Sequence, residues 1–131
     1  EASVPRMIYL SSLGLMQGYS EKLKVTERWR PLPTTNPQIL APYLGEIVCR
    51  EFARERRLQV VCLRLGEVMW EQGTGTSVWG LYPKDLVQAV SGALVADLPP
   101  FSVFHIQSKV PGQRYETGEA ERVLGLGPSQ G

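Results

Sequence analysis

An amphipathic helix that runs almost directly into a buried strand constrains this chain more than any other feature. It lies between Asn36 and Met69, in NPQILAPYLGEIVCREFARERRLQVVCLRLGEVM. Leu40, Leu44, Val48 and Phe52 recur at intervals of four with Ile47 beside them, so one helical face is apolar. The other face carries Glu46, Arg50, Glu51, Arg54 and Glu55, and Arg56 and Arg57 close the helix end, where cations suit the dipole. The run LQVVCLRL that follows is nearly continuous in apolar, β-branched residues, as in a strand covered on both faces. A helix feeding such a strand over a short turn is half of a parallel α/β unit.

The remaining elements extend that pattern. RMIYLSS, Arg6 to Ser12, reads as a strand ended by its serine pair, and GLMQGYSEKLK as a loop with Gly14 and Gly18. VTERWRPLPTTNP, broken by Pro31, Pro33 and Pro37, reads as a surface connection. After Trp70, EQGTGTSVWG is a glycine-rich loop; Pro83 then opens a second helix, KDLVQAVSGALVA, with Leu86, Val90, Ala93 and Leu94 on one face. FSVFHIQS is a third strand beyond Pro99–Pro100, and Thr117 is the N-cap of a last short helix, GEAERVLG, stopped by Gly125 and Pro128. Strand and helix therefore alternate, which predicts α/β architecture with a parallel sheet and flanking helices.

Bulk properties narrow the function classes. A chain of 131 residues has room for one core. Its net charge of +1 gives no electrostatic reason to expect nucleic acid or an anionic membrane, and no apolar run is long enough to span a bilayer. EASVPRM lacks the basic and apolar regions of a signal peptide. Cys49, on the helix, and Cys62, on the strand, are expected to be reduced and packed, which suits a cytoplasmic protein, and neither has zinc-ligand spacing. His105, the only histidine, is expected to be a packed or half-exposed strand residue, since no nucleophile accompanies it. Trp70 and Trp79 flank the glycine-rich loop and would either line a sugar-sized pocket or cover the end of the sheet, the second being favoured.

The central stretch, with Glu-x-x-x-Arg-x-Phe-Ala-Arg-Glu followed by Val-Val-x-Leu-Arg-x-Gly-x-Val, resembles the extended short-chain dehydrogenase/reductases. Within them it is most similar to the NAD-dependent epimerase/dehydratase group, with some likeness to uronate dehydrogenases. The other elements resemble that family in order and spacing: RMIYLSS its fourth strand, RPLPTTNP the run into its catalytic helix, LYPKDLVQAVSGAL its next helix and AERVLGLGP its late Leu-Gly-x-x-Pro segment. The resemblance implies the carboxy-terminal half of a Rossmann-like domain, an NAD or NADP cofactor, and a sugar or sugar-nucleotide substrate. It also implies a catalytic Ser followed by Tyr-x-x-x-Lys, in which the phenol is the acid/base and the lysine lowers its pKa from the same helical face.

Two departures decide what the resemblance can carry. Ser11 and Ser12 fall at the serine position, but the Tyr position is occupied by Gln38 and the Lys position by Pro42. Glutamine has no titratable proton, and proline has neither charge nor donor. Proline is also expected to delay the helix start to near Pro42, giving a helix over 42–56. Tyr43, the nearest phenol, has Ile47 four residues on and is expected to pack or to lie at an interface. The second departure is the pyrophosphate-binding turn. No Gly-rich turn joins a first strand to a first helix, and Gly73–Gly75 does not follow a strand into a helix and is read as a mobile loop. The chain is then a piece of a longer protein or a degenerate relative. Dehydrogenase chemistry is expected to be lost, with Leu10, Ser11, Gly66, Glu67 and Val68 left as the positions that would touch cofactor or substrate. The alternative is a non-catalytic binding or assembly module. Its expected partners are a second copy, docked through the 42–56 helix, or a chain supplying the missing Rossmann half to the open edge of RMIYLSS.

Overall fold

The computed structural model describes residues 5–70 and 77–126. Along the chain, β1 (Arg6–Ser12) leads through a 3-10 turn (Leu13–Met16) and a long connection into α1 (Pro37–Arg54). There follow β2 (Gln59–Leu65), the short strands β3 (Glu67–Val68) and β4 (Gly80–Leu81), α2 (Pro83–Val95), β5 (Phe101–Ile106) and α3 (Gly118–Leu124). β1, β2 and β5 form a parallel sheet in that order, with Tyr9 beside Cys62 and Cys62 beside Val103. β3 and β4 form a separate parallel pair. The sequence-derived α/β class and the parallel sheet both stand.

Each sheet face has its own cover. α1 lies on the face carrying Met7, Tyr9, Val60, Cys62 and Val103, and its contribution there is small: Cys49 and Ala53. Small residues let helix and sheet approach closely. At Gly45 a Cβ would lie 1.8 Å from the Tyr9 phenol oxygen, so no larger residue fits without moving that ring. α2 and α3 cover the opposite face, where Ala89, Ala93, Ala120 and Leu124 meet Val61, Leu63, Phe104 and Ile106. Ala89 takes the inward place the periodicity gave to Leu94, which is exposed. A third cluster, Leu13, Leu15, Met16, Val25 and Tyr115, gathers the 3-10 turn and the connection beyond β1, with Tyr43 and Trp79 packed against it. Trp70 instead stands 73% exposed. Both cysteines are buried free thiols. Burial pushes the Cys49 thiol up and carries that of Cys62 to about 12. The Gly73–Gly75 loop lies outside the described residues.

α1 begins a turn earlier than Pro42. Asn36 is its N-cap, its side chain accepting from the Gln38 N–H at 3.0 Å, and Pro37 occupies the first helical position. The Ile39 and Leu40 amides both donate to the Asn36 carbonyl. Pro42 therefore sits inside the helix, where its missing N–H leaves the Gln38 carbonyl without a helical donor; Gln38 is exposed, so water can satisfy it. A well-formed cap outweighs one lost bond. At the other end Arg56 adopts the left-handed conformation, φ 62°. The Arg56 and Arg57 amides return to the carbonyls of Ala53 and Phe52, a Schellman closure built without glycine.

Candidate functional site

The carboxyl end of β1 and the first turns of α1 meet beside the 3-10 turn. A Cβ at Gly14 would lie 3.0 Å from the Ser12 hydroxyl and 3.6 Å from Ile39, which places the serine pair against the start of α1. Gly14 thus lies between Ser12 and the first turn of α1 at Ile39, whereas Ser11 meets the helix farther along, at Glu46. Both hydroxyls have structural work there. The Ser12 Oγ accepts from the Gly14 N–H at 2.9 Å and caps the 3-10 turn. The Ser11 Oγ is buried and donates to Glu46 Oε2 at 2.5 Å.

Glu46 opens a buried polar network that periodicity alone assigned to the solvent side. Only 3% exposed, it faces the sheet and receives Arg64 from β2 through two parallel bonds, Nη2 to Oε1 at 2.8 Å and Nε to Oε2 at 2.9 Å. Such a fork fixes both partners' geometry. The remaining Arg64 nitrogen, Nη1, lies 3.3 Å from His105 Nε2 and 3.6 Å from the Met16 sulfur. Because Arg64 is donor-only, His105 Nε2 accepts and its proton sits on Nδ1. Burial first, and the Arg64 charge second, push the His105 pKa from its ordinary 6.5 down to about 3. His105 is therefore neutral and packed edge-to-face with Tyr115, their ring centroids 6.1 Å apart. One signal did announce this network. Arg64 interrupts an otherwise apolar run, and an arginine in a strand covered on both faces needs a buried carboxylate.

The other sequence-derived positions are dispersed. Leu10 is half-exposed at the sheet edge. Past β2 the Gly66 amide donates to the Ile106 carbonyl, and a Cβ at Gly66 would lie 2.1 Å from the Trp79 carbonyl oxygen. Glu67 and Val68 form β3 and are held to β4 rather than to the main sheet, with the Glu67 amide donating to Trp79. Gly66, Glu67 and Val68 thus follow the carboxyl end of β2, which β1 flanks in parallel, the end at which open α/β sheets bind ligands. No group of three or more metal-ligating side chains occurs among the described residues. Among them, no helix is long and apolar enough to cross a membrane.

A parallel sheet with helices on both faces is the layered architecture of Rossmann-like α/β folds. Solved structures agree on the fold. The chain superposes on glucuronic acid dehydrogenase from Chromohalobacter salexigens with a TM-score of 0.78 and 18% identity, covering 97% of this chain and 47% of that one. It superposes on uronate dehydrogenase from Agrobacterium tumefaciens with a TM-score of 0.80 and 15% identity, covering 96% and 47%. UDP-glucuronic acid 4-epimerase from Bacillus cereus, solved with UDP-glucuronic acid and NAD, gives a TM-score of 0.71 at 18% identity, covering 95% and 56%. The chain thus spans about half the length of these structures. No protein-family model matches the sequence. No curated protein matches it either.

Proposed function

We propose that this chain is the carboxy-terminal part of the cofactor-binding unit of an NAD(P)-dependent sugar or sugar-nucleotide dehydrogenase or epimerase lineage, and that it does not itself carry out the redox step. One observation supports the reading: α1 starts at Pro37 behind an Asn36 cap, so Gln38 and Pro42, which the resemblance sets at the phenol and lysine positions, both lie in its first turns. Neither Gln38 nor Pro42 can donate or accept the proton that the redox step moves at the substrate oxygen. The relatives solved with NAD and a UDP-sugar support a dinucleotide and a sugar as the ligands of the complete unit. Whether the dinucleotide is NAD or NADP is set by residues outside this half. Leu10, Ser11 and Gly66 to Val68 are then the chain's contribution to that site.

The test restores the chemistry. The double variant Gln38→Tyr, Pro42→Lys is expected to oxidise no glucuronate or UDP-glucuronate with NAD or NADP when assayed alone, because the pyrophosphate site must come from elsewhere. Turnover by the restored chain alone would overturn the reading.

A second reading has its own observation. Leu44, Ile47, Val48 and Phe52 are between 42% and 55% exposed on the outer face of α1. A surface helix with four large apolar residues in one row suits an assembly face. On this reading α1 has kept a contact with a second copy while losing its chemistry.

A further inference from the structure

The two edges of the main sheet are built differently. Bonds at both ends of β5 fix which way its peptide groups point: Val60 N donates to Pro100 O at 2.9 Å and Gly66 N to Ile106 O at 2.8 Å. Strand alternation then turns the N–H groups of Phe101, Val103 and His105 away from β2, toward the outer edge. The outward N–H of His105 is taken: it donates to Glu27 Oε2 at 2.9 Å, from the connection before α1. That connection is pinned across the edge by buried Val25 and by Arg114, whose Nη2 donates to the carbonyls of Gln17 and Tyr19 at 3.3 and 2.9 Å. Beyond Glu27, a cavity of about 840 Å³ lies against Val103 and is rimmed by Lys22, Lys24, Glu116, Glu119 and Arg122. Charges set beside a strand edge discourage another strand from pairing there.

β1 has no such protection. Gln59 N donates to Pro5 O at 2.9 Å, so alternation turns Met7, Tyr9 and Ser11 toward β2 and the amides of Ile8 and Leu10 outward. Among the described residues β1 pairs only with β2, and Leu10 stands 51% exposed on that edge. Its one cation, Arg6, is committed to the Gln59 side chain and the Ala93 carbonyl.

We propose that Glu27 is an edge guard: by filling the outward N–H of His105 it takes one of the three outward amides of β5, those of Phe101 and Val103 having no partner among the described residues. It so denies a further strand a full ladder there, while β1 offers its whole edge. The occupant of the open edge is a parallel strand from the α/β segment that completes the unit. That choice of occupant rests on the proposed function; the guard rests on the bond from the His105 amide to the Glu27 carboxylate. A chain with two open edges could pair head to tail, β5 of one copy with β1 of the next, and grow without closing. Blocking the β5 ladder at His105 disfavours that route.

Amide hydrogen exchange on the unmodified chain tests the guard directly. The His105 amide is expected to exchange at least ~10-fold more slowly than those of Ile8 and Leu10, as a bonded amide does beside free ones. Equal exchange at the three positions would overturn the proposal. Sedimentation of variants supplies the second arm. Glu27→Ala is expected to form concentration-dependent assemblies larger than a dimer, while Glu27→Gln, which keeps an acceptor oxygen, sediments like the parent chain. If Glu27→Ala sediments unchanged, whether or not its His105 amide stays protected, the guard is refuted. Should Glu27→Ala fail to fold, the exchange pattern of the parent chain still decides.

Discussion

Glu46 and Arg64 fix how α1 sits on the sheet, and their pairing yields two predictions at the residue scale. Removing the carboxylate charge leaves a guanidinium buried without compensation, which costs about 3–5 kcal/mol. Glu46→Gln is therefore expected to lose that much stability in urea denaturation. The same change combined with Arg64→Met is expected to lose less, because the orphaned charge is gone. Equal losses would show that the pair contributes through packing alone. The second prediction concerns His105. Its folded pKa is depressed, to about 3 from 6.5, so the unfolded chain binds the proton first as pH falls. The stability it contributes is complete above about pH 6.5 and declines below it at roughly 1.4 kcal/mol per pH unit. Stability measured from pH 7 to 4 should carry this slope, and His105→Phe should remove it. A histidine packed in a strand was legible from the lack of any nucleophile partner. Its neighbours were not, because Glu46 occupies a helical position that sequence periodicity assigns to solvent.

The elements themselves were the most readable part of the sequence. β1 spans the residues from Arg6 to Ser12 that its strand-forming run and serine pair indicated, and α2 opens on Pro83. α3 follows Thr117, ending at a left-handed Gly125. The start of α1 was misplaced because two local rules compete there. Proline disfavours a helical residue before it, but an Asn36 cap followed by Pro37 nucleates the helix ahead of that obstacle. Which side of α1 faces the sheet also eluded periodicity. The largest apolar residues point outward, and a strip of Gly45, Glu46, Cys49 and Ala53 points in. If the outer stripe is an assembly face, Val48→Asp places a charge at its centre, and the burial of an unpaired carboxylate is prohibitive. That variant is expected to sediment as a monomer where the parent chain associates. An unchanged sedimentation profile would remove the assembly reading while leaving the fold untouched.

For the whole molecule, the relation to its structural neighbours is one of part to whole. The chain superposes over 97% of its own length on a dehydrogenase of which it covers 47%. Sequence order and spacing were enough to recognise the fold, since strand, helix and strand recur in the order that the parallel sheet requires. The proposed site rests on the resemblance alone, which sets Gln38 and Pro42 at its phenol and lysine positions, because a missing group leaves no positive signal in the sequence. The central claim is that this chain holds a scaffold for a dinucleotide site without a working site of its own. Thermal unfolding followed by circular dichroism, with and without 1 mM NADH (about 100 times a dissociation constant on the order of 10 μM), tests it most directly. A ligand held at that ratio would add about 2.7 kcal/mol and raise the midpoint by roughly 10 °C. The account predicts a cooperative transition whose midpoint NADH does not move; a rise of that size would show that the chain binds the cofactor unaided and would contradict it.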